Sequence, residues 1–163
     1  MIVGFVGLIG SGKDTAASIL VEKRGFQKIA FADPLKDLVS TVFKWDRDLL
    51  AGVTQESRVW REQKDDYWSE KFGYDITPRY MLQYIGTEVM RKNLNDKIWI
   101  LSAIATIEKN PNIDYVLTDV RFVNEIEALR DIGAKVVRIK RGDEPEWFET
   151  AKNTPDLMPS LFV

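Results

Sequence analysis

The sequence has 163 residues, 45% of them hydrophobic and 29% charged, the balance of one ordinary globular domain able to bury a core. Its 23 basic against 25 acidic side chains give a net charge of −2, which argues against a nucleic-acid polymer as partner, because phosphate-backbone binding draws on a basic surplus. With no cysteine and no histidine, disulfides, the usual zinc sites, thiol or imidazole nucleophiles and a histidine general base are all excluded.

The longest uncharged run, residues 1–12, is glycine-rich and far short of the about 20 residues of a membrane span. No basic segment precedes it, so no secretory signal is read there, and a cytoplasmic protein without a membrane partner is expected. Residues 2–7 (IVGFVG) read as a strand buried on both faces of a parallel sheet. After a glycine-rich turn, residues 14–24 carry Ala16, Ala17, Ile19, Leu20 and Val21, a helix closed by Gly25. A second strand is predicted at residues 28–31. Asp33-Pro34 then reads as an N-cap with proline in the first turn of a helix running to about Lys44.

From Trp45 to Thr77 the periodicity fails. Half of residues 56–75 are charged, with Trp60, Tyr67, Trp68, Phe72 and Tyr74 interleaved. Two readings stay open: a surface excursion pinned by its aromatic rings, or a mobile segment that covers a substrate. Thr77-Pro78 opens a helix through Met81, Leu82, Ile85 and Val89 to Lys92. Asp96 is expected to cap a helix that is apolar almost all round (Ile98, Trp99, Leu101, Ile104, Ile107), and therefore central and buried. A third strand follows at residues 114–119, a helix at 124–132 closed by Gly133, and a fourth strand at 134–140; from Arg141 the chain is polar and irregular. Strands alternating with helices predict a parallel α/β sheet.

The string Gly7-Leu8-Ile9-Gly10-Ser11-Gly12-Lys13 fits G-x-x-x-x-G-K, after a buried strand and opening a helix. Glycines let backbone N–H groups converge on phosphate oxygens, and the helix N-terminus adds partial positive charge. Lys13 can reach the outer phosphates, and a hydroxyl can enter a Mg²⁺ shell. The position after Lys13 is Asp14, with the hydroxyl one later at Thr15; either or both can orient the metal. Val116-Leu117-Thr118-Asp119 is an apolar strand ending in a carboxylate, at the strand end where ligands bind in open α/β sheets. Asp119 could hold Mg²⁺ through water or accept a substrate proton, or simply cap the next turn; Arg121 could offset charge on a transferred phosphoryl group, or make a surface salt bridge. Lys36, Arg79, Gln83, Gly86, Thr87, Glu88 and Arg91 form a weaker signal, which solvated helix charges also explain; a mid-helix Gly86 costs about 1 kcal/mol against alanine and points to a close approach of a ligand or another backbone.

Together, GLIGSGKDT, FADPLK (31–36), SRVWRE (57–62), TPRYMLQYIGTEVMR (77–91) and TDVRFVNE (118–125) resemble the deoxynucleoside monophosphate kinases of tailed bacteriophages over residues 1 to about 150. The GKxT form resembles the P-loops of nucleoside monophosphate kinases more than those of GTPases. The resemblance implies a three-layer P-loop fold with strand order 2-3-1-4 and one kinase domain over 1–163. Within it, 45–95 would be a lid-like, substrate-binding excursion and 141–163 an irregular, shortened end. The implied reaction is in-line transfer from ATP, with Mg²⁺, to a deoxynucleoside monophosphate, in the host cytoplasm if phage-encoded. The resemblance assigns Gly7, Gly10, Ser11, Gly12, Lys13, Asp14 and Thr15 to the donor and its metal. It assigns Lys13, Asp119 and Arg121 to catalysis, and Lys36, Arg58, Arg79, Gln83, Gly86, Thr87 and Trp99 to the acceptor pocket. Val123 stands where the family commonly has proline. The sequence stops at Val163 without the family's last strand and adenine-side loop, which predicts an open sheet edge suited to homodimer pairing and little discrimination between donor bases. Two rivals follow: a dephospho-coenzyme A kinase-like enzyme, sharing the GxGSGK loop, and a catalytically impaired nucleotide-binding or assembly protein.

Overall fold

The apolar run after Met1 becomes β1 (Ile2–Val6), which pairs in parallel with β3 (Tyr115–Leu117) on one side and β4 (Lys135–Arg138) on the other. β2 (Gln27–Ile29) pairs in parallel with β3, so the order is β2-β3-β1-β4, as expected. β1, β3 and β4 are each one to three residues shorter than expected, and β2 begins one residue earlier and ends two earlier. The computed structural model describes residues 1–8 and 10–143; most of the expected irregular end, residues 144–163, lies outside them. Among the described residues two compact units are present, one of residues 1–31 and 103–143, the other of Ala32–Ser102. Among the described residues no helix is long and apolar enough to cross a membrane.

The period of two along β1 makes the first unit three layers thick. Val3 and Phe5 pack with Ala17 of α1 (Lys13–Arg24), Phe26 and Val116. Gly4 points the other way, where a β-carbon would stand 2.9 Å from Leu129 Cδ1 of α8 (Val123–Asp131). Gly25, at φ 71°, closes α1 by donating its N–H to Val21 O at 3.1 Å.

In the second unit α2 (Asp33–Phe43) begins one residue before the expected position: Ala32 is the N-cap, and Asp33 and Pro34 are already helical. The stretch without periodicity folds into α3 (Arg47–Ala51), α4 (Gln55–Glu62) and α5 (Asp66–Phe72). Each is too short to repeat an apolar stripe, and each is fixed by a cap. Asp46 accepts from the N–H groups of Asp48 and Leu49 at 2.8 and 2.9 Å, Thr54 Oγ1 from Ser57 at 3.1 Å, and Asp65 from Trp68 at 2.9 Å. The core here is aromatic. Phe43, Trp45, Leu50, Ile76 and Met81 are buried with Val39, and Trp60 and Trp68 pack against them. Phe43 and Trp45 stack with centroids 4.5 Å apart; Trp68 Nε1 donates to Phe43 O at 2.9 Å and Trp45 Nε1 to Asp65 Oδ2 at 2.7 Å.

Thr77 caps α6 (Pro78–Gln83) as expected, and the helix continues as a π-helical segment, Tyr84–Lys92. Before α7 (Ile98–Lys109) it is Asn95, not Asp96, whose side chain accepts from the N–H of Lys97 at 2.8 Å. Nor is α7 buried all round: Trp99, Ile100, Ala103 and Ile107 are buried, while Leu101 is 47% exposed.

Candidate active site

The loop after β1 is shaped by its glycines. Gly10 and Gly12 sit at φ 76° and 97°, the left-handed region that favours glycine. At Gly7 a β-carbon would overlap the Ile139 carbonyl oxygen and stand 2.7 Å from Ser11 Oγ. Ser11 N–H donates to Leu8 O at 3.1 Å, and α1 starts at Lys13. Ser11 Oγ is buried with no hydrogen-bond partner among the described residues. An orphaned hydroxyl in a left-handed glycine turn at a helix N-terminus suits a phosphate oxygen, so these residues fit a nucleotide's phosphates.

Lys13 Nζ donates to Gly7 O at 2.6 Å and Leu8 O at 2.9 Å. Burial lowers its pKa; Asp14 opposes that, and the Arg121 guanidinium lowers it again, which brings Arg121 into the field of the loop. Asp14 accepts from Lys28 Nζ at 2.5 Å. Burial would raise the Asp14 pKa, but the hydrogen bond and charge of Lys28, a hydrogen bond from Thr118 and the charge of Lys13 outweigh it and hold it below the ordinary carboxylate value. Thr15, next to it, is exposed.

β3 leads into the second part. Because β1, β2 and β3 are parallel, their C-terminal ends share one edge of the sheet. Phe31, just past β2, donates its N–H to Asp119 Oδ1 at 3.1 Å. Glu125 is buried and accepts from the backbone N–H groups of Arg121 at 2.7 Å and Phe122 at 3.0 Å. The carboxylate that caps the turn into α8 is therefore Glu125, while Asp119 is bound back to the end of β2. Glu125 was absent from the expected site residues, although an acidic residue at the third helical position is a capping signal. The first unit thus gathers Lys13, Asp14, Thr118, Asp119 and Arg121.

The remaining expected residues lie in the second unit. Lys36 on α2 is within 3.7 Å of Asp33, which Arg47 also binds at 3.0 Å. Arg58 Nε donates to Gly52 O at 3.2 Å, and Arg79 Nε is 3.2 Å from Glu62 Oε1, linking α6 to α4. Arg61, one turn beyond Arg58, is a basic residue that motif reading passed over; its i,i+3 relation to Arg58 was the available signal. Gly86 is buried and owes its lack of a side chain to packing: a β-carbon would stand 2.7 Å from Leu35 Cδ2. Its carbonyl accepts from Trp99 Nε1 at 3.1 Å, so those two predicted residues are brought together. Gln83 and Thr87 are exposed.

The deoxynucleotide monophosphate kinase family matches residues 53–152. A protein of Acanthamoeba polyphaga mimivirus, provisionally named as a deoxynucleotide monophosphate kinase, is 34% identical over 155 residues, covering 86% of this chain and 74% of its own. The deoxynucleoside-5'-monophosphate kinase of Escherichia phage T5 is 27% identical over 180 residues, covering 80% and 72%. An uncharacterised protein, ORF77 of Ictalurid herpesvirus 1 (strain Auburn), is 28% identical over 142 residues, covering 85% of this chain and half of its own.

Proposed function

Because the chain belongs to the deoxynucleotide monophosphate kinase family, we propose which of its residues carry the phosphoryl transfer. The reaction is phosphorylation of a deoxynucleoside monophosphate to the diphosphate. The family match favours this activity over the dephospho-coenzyme A and impaired-binding alternatives.

The donor is ATP. The loop amides of Gly7, Gly10, Ser11 and Gly12, the Ser11 hydroxyl and Lys13 bind its phosphates. Thr15 and the ionised Asp14 would hold Mg²⁺, which when bound neutralises charge on those phosphates. Lys13 now bonds two loop carbonyls, so its ammonium is already held beside the cradle and needs only to exchange partners. Arg121 offsets charge on the transferring group, with its backbone fixed by Glu125. Asp119, held by the Phe31 N–H, accepts the acceptor's proton or fixes a water. The acceptor is bound by Lys36 and, from a substrate-binding excursion over 45–95, by Arg58, Arg79, Gln83 and Thr87, with Gly86 of that excursion and Trp99 beyond it forming a wall through their hydrogen bond. Transfer is direct and in line, and positioning supplies most of the acceleration.

The observation that carries this reading is the parallel pairing of β1 with β3, which supports it by setting the loop that leads to Lys13 and the segment with Asp119 and Arg121 at the same edge of the sheet, with Arg121 in the field of Lys13. A coupled assay of ATP and Mg²⁺ against the four deoxynucleoside monophosphates and dephospho-coenzyme A tests it. Diphosphate formation from at least one monophosphate is expected; turnover of dephospho-coenzyme A alone, or of nothing, overturns it.

A further inference from the structure

Helix α4 carries Arg58 and Arg61 three residues apart, and α6 brings Arg79 to the same place through the Glu62 ion pair. Arg61 is seated against Gly52, the residue that closes α3 at φ 68°; a β-carbon there would overlap its guanidinium carbon and both terminal nitrogens. Arg58 converges on the same turn through its bond to Gly52 O. Only a glycine leaves room for that seat.

The charges there do not balance. Arg61 Nε is buried and has no hydrogen-bond partner among the described residues. An unmatched donor on a charged group is costly, and such groups are rare without a reason. Burial lowers the Arg61 pKa from its ordinary value and Arg79 lowers it further; Glu62 opposes this and Arg58 adds to it. Among the described residues, the charges acting on Arg61 are thus two further guanidiniums and one carboxylate, and Arg79 already binds that carboxylate. A phosphate monoester carries roughly −1.5 to −2 charges at neutral pH, which matches the surplus.

We infer that Arg61 is a third guanidinium of the acceptor-phosphate site, binding the monophosphate's oxygens together with Arg58 and Arg79 from its seat on Gly52. The inference rests on the acceptor role given above to Arg58 and Arg79. The planar fork of arginine suits two phosphate oxygens at once, and a seated guanidinium loses little freedom when the anion arrives.

Two variants test it in the full chain. Arg61→Met keeps the bulk of the stem without the charge; Arg61→Lys keeps the charge without the fork. Titration calorimetry with the monophosphate that the wild type phosphorylates best, and separately with ATP, is paired with thermal melting of the unliganded proteins. Arg61→Met should weaken monophosphate binding about ten- to hundredfold and Arg61→Lys about fivefold or more, with ATP affinity within about twofold. Arg61→Met should melt no lower than the wild type, because an uncompensated charge has been removed. Lower melting temperatures with unchanged monophosphate affinity would mean a merely structural arginine and overturn the inference. So would a loss under about fivefold in Arg61→Lys, which decides the matter if Arg61→Met does not fold. If Arg79→Ala loses monophosphate affinity and the Arg61 variants do not, Arg61 alone is misassigned. If the wild type binds no monophosphate, the acceptor reading itself falls.

Discussion

The two anion sites proposed for this protein are made of different material. In the first unit the phosphate cradle is backbone: glycines at left-handed angles, a helix start and one lysine within a single loop. In the second unit the arginine cluster is side chain, carried by two short helices and seated on a turn from a third. A backbone site writes itself into the sequence, because only glycine tolerates those angles and the spacing is fixed by one turn. A side-chain site built across elements leaves no fixed spacing, since any arginine on the right helix face can reach.

The sharpest way to break this contrast is Lys13→Ala. Loss of the lysine that serves the cradle should lower turnover by about two to three orders of magnitude, by analogy with loss of one transition-state donor. Melting should be nearly unchanged; unaltered turnover in a folded variant would remove the donor assignment. Arg79→Ala addresses the other site: the KM for the monophosphate should rise about ten- to hundredfold while the affinity for ATP stays within about twofold. An equal loss for ATP would place Arg79 on the donor side.

A pair of glycine variants sharpens the distinction between materials. Gly7→Ala meets a backbone carbonyl that cannot move aside, whereas Gly86→Ala meets the far end of a leucine side chain. Thermal melting should show about 1–3 kcal/mol of destabilisation for Gly86→Ala and more for Gly7→Ala, the latter also losing triphosphate binding. The reverse order would mean that the loop is more pliable than its packing suggests. Smaller again is Asp65→Ala, which loses a helix cap and the Trp45 indole bond and should cost about 1–2 kcal/mol by denaturant unfolding.

The least effect belongs to the exposed Asp14–Lys28 pair. The Asp14 pKa is lowered in the folded state, so its contribution is present in full above the unfolded carboxylate value of about 4 and is lost as the pH falls through the lowered native value. Solvent screening keeps that contribution under about 1 kcal/mol, and Asp14→Asn should flatten the acid limb of a stability–pH curve by no more than this.

The buried strands, the loop and the Asp119–Arg121 strand end could be read from the sequence because apolar runs and glycine spacing are local signals. Helices α3, α4 and α5 could not, because five to eight residues are too few for a stripe; their real marks were single caps at Asp46, Thr54 and Asp65. The mid-helix Gly86 points in the sequence to a ligand or another backbone, whereas the group packed against it is the Leu35 side chain of α2, which no local pattern could name. Glu125 carries only the local mark of a helix cap, and the seat of Arg61 is a glycine nine residues away on another helix end, which no short motif contains.

The aromatic core around Phe43 has an optical consequence. Trp45, Trp60, Trp68 and Trp99 all belong to the Ala32–Ser102 unit, and the fifth tryptophan, Trp147, lies outside the described residues. In a Trp147→Phe variant every emitting indole would sit in the half of the chain assigned to the acceptor. Fluorescence would then be a spectroscopic label confined to one substrate's territory, installed without chemistry. A change in emission on adding a triphosphate alone would report communication from the loop to that territory, and silence would mean that the two ligands are sensed independently.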